Sequence, residues 1–180
     1  MKVVILAGGW GTRLGRLTEE IPKPMVKIGQ KPVLWHIMKI YSSYGYNDFI
    51  IALGVKSDVI KNYFLQYEMQ NSDFTISLTN GNIEYHGTNK ENWKVTLVDT
   101  GLNTLKGGRL KRISHYLHDE TNMLTYGDGV SDINIANLVK FHKNHKKIVT
   151  ITGVYPPARF GELNEKDGKV IKFQEKPQTS

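Results

Sequence analysis

Ala7-Gly8-Gly9-Trp10-Gly11-Thr12-Arg13-Leu14 is a glycine-rich turn directly after a short β-branched apolar run. Glycines there let backbone N–H groups approach phosphate oxygens, and open parallel sheets put their ligand crevice at such strand ends. Arg13 adds a planar donor suited to clamping phosphate, and Lys23 is fixed between Pro22 and Pro24. Two cations converging on one anion is the chemistry these residue types can do. The segment is not a P-loop, which needs Gly-Lys-Ser/Thr, and Leu14 stands where a dinucleotide-binding turn needs its third glycine. Taken singly, a tight strand exit explains the glycines and a solvated loop explains Lys23 about equally well. Together they point to phosphate.

Asp128 lies between Gly127 and Gly129 at the end of an apolar strand. Such a carboxylate is the hard oxygen ligand that Mg²⁺ takes alongside substrate phosphates, although a turn aspartate before glycine is also common. Asp132 reads as the N-cap of the next helix. Gly107 and Gly108 open a helix, where bare backbone could lie against a flat base beside free N–H groups, or simply cap the helix. None of the six histidines has ligand spacing backed by carboxylates or cysteines, and His142 and His145 sit on a lysine-rich helix end.

The elements that position these residues follow from periodicity. Lys2 to Ala7 reads as a fully buried central strand. Pro32 starts a helix over about residues 32–44, with Leu34, Ile37, Met38 and Tyr41 at helical spacing and Gly45 as its stop. A strand Asp48 to Leu53 precedes a helix opened by Ser57. Alternation between Phe74 and Tyr85 around Asn80-Gly81-Asn82 predicts an antiparallel insertion with a tight turn. Beyond it come a strand Lys94 to Val98, a helix Gly108 to Leu117, a strand Met123 to Tyr126, a helix Ile133 to His142 and a strand Ile148 to Val154. Gly161 to Asn164 and Lys169 to Phe173 then flank a Glu165-Lys166-Asp167-Gly168 turn. Such alternation predicts an α/β fold with a mostly parallel, helix-covered sheet, and no repeat or linker marks an internal boundary.

The motifs carry a resemblance. Gly8-Gly9-Trp10-Gly11-Thr12-Arg13-Leu14 with Pro22-Lys23-Pro24-Met25 resembles the opening of the nucleotidylyltransferases that activate sugar 1-phosphates. Within them, four further stretches look most like the cytidylyltransferase branch: Leu34-Trp35-His36-Ile37-Met38, Trp93 through Gly101, Gly107-Gly108-Arg109-Leu110-Lys111-Arg112, and Tyr126-Gly127-Asp128-Gly129. The likeness runs over essentially all 180 residues. It implies a Rossmann-like mixed, mostly parallel sheet flanked by helices, the nucleotide-diphospho-sugar transferase fold, in one nucleotidyltransferase domain over residues 1–180. It also implies transfer of a cytidylyl group from CTP to glucose 1-phosphate with Mg²⁺, in a homo-oligomer that serves bacterial surface polysaccharide synthesis, such as lipopolysaccharide O-antigen.

Residue by residue, the resemblance gives the nucleotide to Leu6, Ala7, Gly8, Gly9, Trp10, Gly11, Thr12, Arg13 and Lys23, with Thr104, Gly108 and Arg109 near base and ribose. Arg13, Lys23 and Asp128 would be catalytic, and Asp128 would hold the metal. Asp128, Glu175 and Lys176 would face the sugar phosphate, beside Phe160-Gly161. Family members continue past Gln174-Glu175-Lys176-Pro177 with further strands and a second metal-binding aspartate, so the fold is expected to lack its C-terminal part.

Bulk properties limit the alternatives. At 180 residues with 39% hydrophobic content the chain can bury roughly 70% of its unfolded surface in one core. The net charge of +7 suits a nucleic acid, a membrane surface or a small polyanion. Its basic residues are scattered, without the aromatic interleaving that grips single strands, so no nucleic acid partner is expected. No signal-peptide core or membrane span is expected, and the absence of cysteine excludes disulfides and thiolate metal sites, which favours the cytoplasm. Competing readings are another triphosphate and sugar 1-phosphate pair, a non-catalytic nucleotide-sugar-binding module, and a dinucleotide-dependent oxidoreductase, which Leu14 opposes.

Overall fold

The computed structural model describes residues 1–10, 21–87, 90–118, 120–154 and 161–175. Its central sheet comprises β1 (Val3–Ala7), β4 (Asp48–Leu53), β7 (Lys94–Asp99) and β8 (Met123–Tyr126), all parallel, in the order β7-β4-β1-β8. β1 and β4 are the central strands, and the continuous apolar runs are the cause, because both faces of these strands must be covered. Side chains alternate between the faces. Val3, Ile5, Phe49, Ile51 and Leu53 pack with Leu34, Ile37 and Met38 of α1 (Val33–Ser43) and Ile60 of α2 (Ser57–Leu65). Val4, Ile50 and Ala52 pack on the other face with Ile113 of α4 (Lys106–Ile113). Each fully buried side chain of this kind contributes roughly 1.5–3 kcal/mol.

The helices over 32–44 and from Ser57 form as expected, α1 after Pro32 with Gly45 at φ 84° beyond its end. Ser57 does not cap α2, because Lys56 holds that position with a left-handed φ of 55°. Beside α2 and the short α3 (Tyr67–Asn71), an aromatic cluster forms around Trp35, whose Nε1 donates to the Tyr67 hydroxyl at 2.9 Å. The Tyr63 hydroxyl nearby is buried with no hydrogen-bond partner among the described residues. Burial above all, then the charges of Tyr67 and Glu91, raises its pKa above the ordinary 10.0. A raised pKa means stability that is complete below pH 10 and is lost as pH climbs past it. Tyr63→Phe removes both penalties. It is expected to stabilise the chain by about 1 kcal/mol at neutral pH, with a larger gain near pH ~11, read by urea unfolding at the two pH values. Equal stabilities at both would refute this account of Tyr63.

The antiparallel insertion is present as β5 (Asp73–Ile76) paired with β6 (Ile83–His86). Its connection is a wider loop over residues 77–82 rather than a tight turn on Asn80-Gly81. The Ser77 N–H donates to the Asn82 carbonyl at 2.9 Å, and only Gly81 takes a positive φ, 75°. β2 (Lys27–Ile28) and β3 (Lys31–Pro32) form a minimal ribbon before α1.

Downstream, three expectations are corrected. α4 begins at Lys106, earlier than Gly108, and ends at Ile113 in a separate 3₁₀ turn over Ser114–Tyr116. α5 (Ile135–His145) starts beyond Asp132, which lies in irregular chain and is not its N-cap. Residues 148–154 form no strand: Ile148 is 97% exposed and no described strand pairs with them, and an apolar run without a ladder partner has nothing to hold it extended.

The chain divides into two compact units, 1–136 and 137–180. In the second, β9 (Glu162–Lys166) and β10 (Lys169–Gln174) form a hairpin whose turn is only Asp167-Gly168, at φ 52° and 74°; Glu165 and Lys166, expected in that turn, belong to β9. No helix among the described residues is long and apolar enough to cross a membrane.

Candidate active site

From β1 the strands step outward to β4 and β7, and the chain then returns to place β8 on the opposite side of β1. That reversal splays the loops beyond β1 and β8 apart, which is where open α/β sheets bind ligands. A cavity of about 410 Å³ occupies the spot. Leu6–Trp10 lines it from β1, Leu102–Lys106 from the β7–α4 connection, and Tyr126 and Asp128 from β8; Lys23, Pro24 and Arg109 complete the wall.

The aim of Lys23 follows from its neighbours. Pro22 holds φ −66°, and residues Lys23–Met25 make one 3₁₀ turn, anchored by buried Pro24 and Met25 and by the Met25 N–H donating to the Pro22 carbonyl at 2.7 Å. Gly127 lets β8 press against this turn: a Cβ there would lie 3.1 Å from Pro24 Cγ and 3.2 Å from the Leu6 carbonyl. Lys23 Nζ consequently stands 4.0 Å from Asp128 Oδ2, with the two side chains 21% and 48% exposed. That long, half-solvated contact leaves both groups free to face a ligand.

Thr104 and Gly108 meet each other. A Cβ on Gly108 would lie 2.8 Å from the Thr104 methyl, so the missing side chain leaves room for Thr104 to pack there. The Thr104 hydroxyl accepts from Arg112 at 2.8 Å. Arg109 is 6% exposed, and its guanidinium is committed to the protein. One terminal nitrogen donates to the Leu53 carbonyl (2.8 Å), the Thr100 hydroxyl (2.6 Å) and the Gly101 carbonyl (2.9 Å). The other donates to the carbonyls of Gly8 (2.9 Å) and Leu102 (3.3 Å). Burial and then Arg112 pull its pKa below the ordinary value, with Asp99 opposing, and the group stays charged.

The structure thus gathers Leu6, Ala7, Gly8, Gly9, Trp10, Lys23, Thr104, Arg109 and Asp128 in one place. Gly11, Thr12, Arg13, Phe160 and Lys176 lie outside the described residues. Glu175 belongs to the second unit, where its carboxylate oxygen would sit 3.3 Å from a Cβ on Gly161. Sequence reasoning missed Lys106, whose ammonium lies in the wall 5.2 Å from the centre of the Tyr126 ring. Its place just before the Gly107-Gly108 pair was the available signal. Among the described residues no cluster of three or more metal-ligating side chains exists, at Asp128 or elsewhere.

The glucose-1-phosphate cytidylyltransferase of Salmonella typhimurium (strain LT2) is 53% identical to this chain over 178 residues, covering 98% of the chain and 69% of that protein. The probable glucose-1-phosphate cytidylyltransferase of Bacillus subtilis (strain 168) is 46% identical over 176 residues, with the same coverage of 98% and 69%. Among solved structures, HddC from Yersinia pseudotuberculosis complexed with GMP-PN superposes with a TM-score of 0.64 at 26% identity, over 98% of this chain and 70% of that one. The family model described as nucleotidyl transferase matches residues 2–180, and with the fold and the cavity at the β1–β8 reversal in agreement, the chain belongs to the nucleotidyl transferase family.

Proposed function

We propose that this chain transfers a cytidylyl group from CTP to glucose 1-phosphate, giving CDP-glucose and pyrophosphate. The observation that carries the reading is the cavity at the strand-order reversal, with a glycine-rich turn on one side and Lys23 beside Asp128 on the other. The choice of base and sugar is supported by the 53% identity to a glucose-1-phosphate cytidylyltransferase.

A phosphate oxygen of the sugar attacks the α-phosphorus; the new P–O bond forms as the α–β bridge breaks, and pyrophosphate leaves with the bridging electrons. No covalent intermediate with the protein is needed, so positioning and charge neutralisation supply the rate. Lys23 is assigned the α-phosphate by resemblance, and its rigid turn holds the ammonium 4.0 Å from the Asp128 carboxylate. Arg13 is assigned the departing phosphates, Lys176 the attacking phosphate and Glu175 the sugar hydroxyls, all by resemblance. Leu6–Trp10 would lie along the nucleotide, Gly11 and Thr12 are assigned to it by resemblance, and Thr104 and Gly108 would shape the side toward base and ribose. Asp128 would hold Mg²⁺ together with the phosphates, and the metal would supply charge neutralisation there.

The chain is further proposed to act as one nucleotidyltransferase domain, in the cytoplasm, as a homo-oligomer, feeding bacterial surface polysaccharide. Exposed Phe74, Ile76, Leu78 and Ile83 on the β5–β6 hairpin support self-association.

The test is pyrophosphate release by the purified chain with Mg²⁺ and glucose 1-phosphate, comparing CTP with UTP, dTTP, ATP and GTP, with and without EDTA. Metal-dependent release selective for CTP is the expected result. Selectivity for another triphosphate would overturn the base assignment, and silence with all of them would overturn the activity.

A further inference from the structure

Thr100, fully buried, and Arg109, 6% exposed, are the buried polar or charged residues of the described core. They touch, and between them they reach the ends of three adjacent strands. The Thr100 hydroxyl donates to the Leu53 carbonyl at 2.5 Å and accepts from Arg109 at 2.6 Å. The same guanidinium holds Leu53 at the end of β4, Gly101 after β7 and Gly8 after β1. Two glycines make room for it: a Cβ on Gly8 would lie 2.3 Å from the guanidinium carbon, and one on Gly54 would lie 2.6 Å from a terminal nitrogen. No carboxylate among the described residues pairs with this charge.

The bond to Gly8 has a geometric consequence. In a trans peptide the C=O and the next N–H point in opposite directions. Turning the Gly8 carbonyl toward buried Arg109 therefore directs the Gly9 N–H away from the core, and Gly9 is exposed and lines the cavity. The guanidinium donates only to carbonyl and hydroxyl oxygens, and Asp99 acts on its charge from beyond ion-pair distance, so an anion entering the cavity still gains from it.

We infer that Arg109, oriented by Thr100, is a positioning residue: it sets the Gly8-Gly9-Trp10 turn in its phosphate-receiving conformation through the Gly8 carbonyl, rather than by touching base or ribose. The inference rests on the reading of the cavity as a nucleoside triphosphate site. Its structural half stands without that reading.

Three measurements on the full chain test it: CTP affinity by calorimetry, kcat and KM for each substrate, and hydrogen exchange at residues 8–10 without ligand. Arg109→Lys keeps the charge but cannot bridge three strand ends. It is expected to weaken CTP binding about 10–100-fold, with the KM for glucose 1-phosphate unchanged and exchange at Gly8 to Trp10 accelerated. Thr100→Val keeps the shape, removes the hydroxyl, and is expected to move the same readouts about 3–10-fold. A lowered Tm with unchanged CTP affinity and unchanged loop exchange would reduce the pair to core stability and overturn the inference. Weakened binding in Arg109→Lys alone, with Thr100→Val silent and loop exchange normal, would mean direct contact and overturn it equally. Should Arg109→Lys fail to fold, Thr100→Val decides alone. If the wild type binds no CTP, the proposed function falls, and the exchange comparison still decides whether Arg109 holds the turn.

Discussion

Replacing Lys23 with alanine is expected to lower kcat for pyrophosphate release about 10²–10³-fold, the usual cost of deleting one charge-stabilising donor from a reacting centre. Folding should scarcely notice, because the 3₁₀ turn is anchored by Pro24 and Met25 rather than by the ammonium, whose contact with Asp128 is 4.0 Å long and partly solvated. Lys23→Arg keeps the charge on a larger head and should recover only part of the rate. The measurement is steady-state turnover of the variants beside their thermal unfolding. Near-normal kcat in a well-folded Lys23→Ala protein would take Lys23 out of the mechanism.

Phe49→Ala carries the largest expected cost to the fold. The ring is fully buried on the central strand β4 and meets Trp93 edge-on, with centroids 5.9 Å apart and planes at 76°. Its truncation removes transfer energy and leaves a cavity between sheet and helices, about 3–5 kcal/mol together. Domains of this size hold about 5–15 kcal/mol in total, and each kcal/mol moves Tm by roughly 2–4 °C, so a drop of about 6–20 °C is expected. Urea and thermal unfolding followed by circular dichroism check it. A change below about 1 kcal/mol would mean that the site repacks.

The strands were legible where burial dictates composition. β1 and β4 came within a residue of their boundaries because a strand covered on both faces has to be apolar throughout, whereas β8, equally well placed, is an edge strand with Leu124 and Tyr126 half-exposed. Their order was not legible, since pairing of β1 with β8 is decided by packing that no local pattern records. Residues 148–154 mislead for the same reason: an apolar run shows what could pair, not whether a partner strand is beside it. Asp132 shows the limit of turn preferences, as a residue suited to capping also suits irregular chain.

At the site, residue types were legible and their directions were not. Lys23 and Asp128 are in the cavity, yet nothing in the spacing shows that Gly127 is what lets them approach. Arg109 displays its donors in the sequence, while its acceptors are backbone carbonyls contributed by distant strand ends. Thr100 lies in the Trp93 through Gly101 stretch, yet nothing in that stretch marks its hydroxyl; its complete burial and the hydroxyl's two hydrogen bonds give it a role.

The strand order also governs how the chain comes together. β1, β4 and β7 are gathered from the first hundred residues, whereas β8 joins β1 across a long separation, marked by the Lys2 N–H donating to Asn122 at a distance of 120 residues along the chain. Closing so long a loop comes late in assembly. A nascent chain can therefore bury Phe49 and its neighbours before Asp128 has been synthesised, leaving one edge of β1 open until β8 arrives. Most of the core is consequently formed before the cavity at the β1–β8 reversal can be closed.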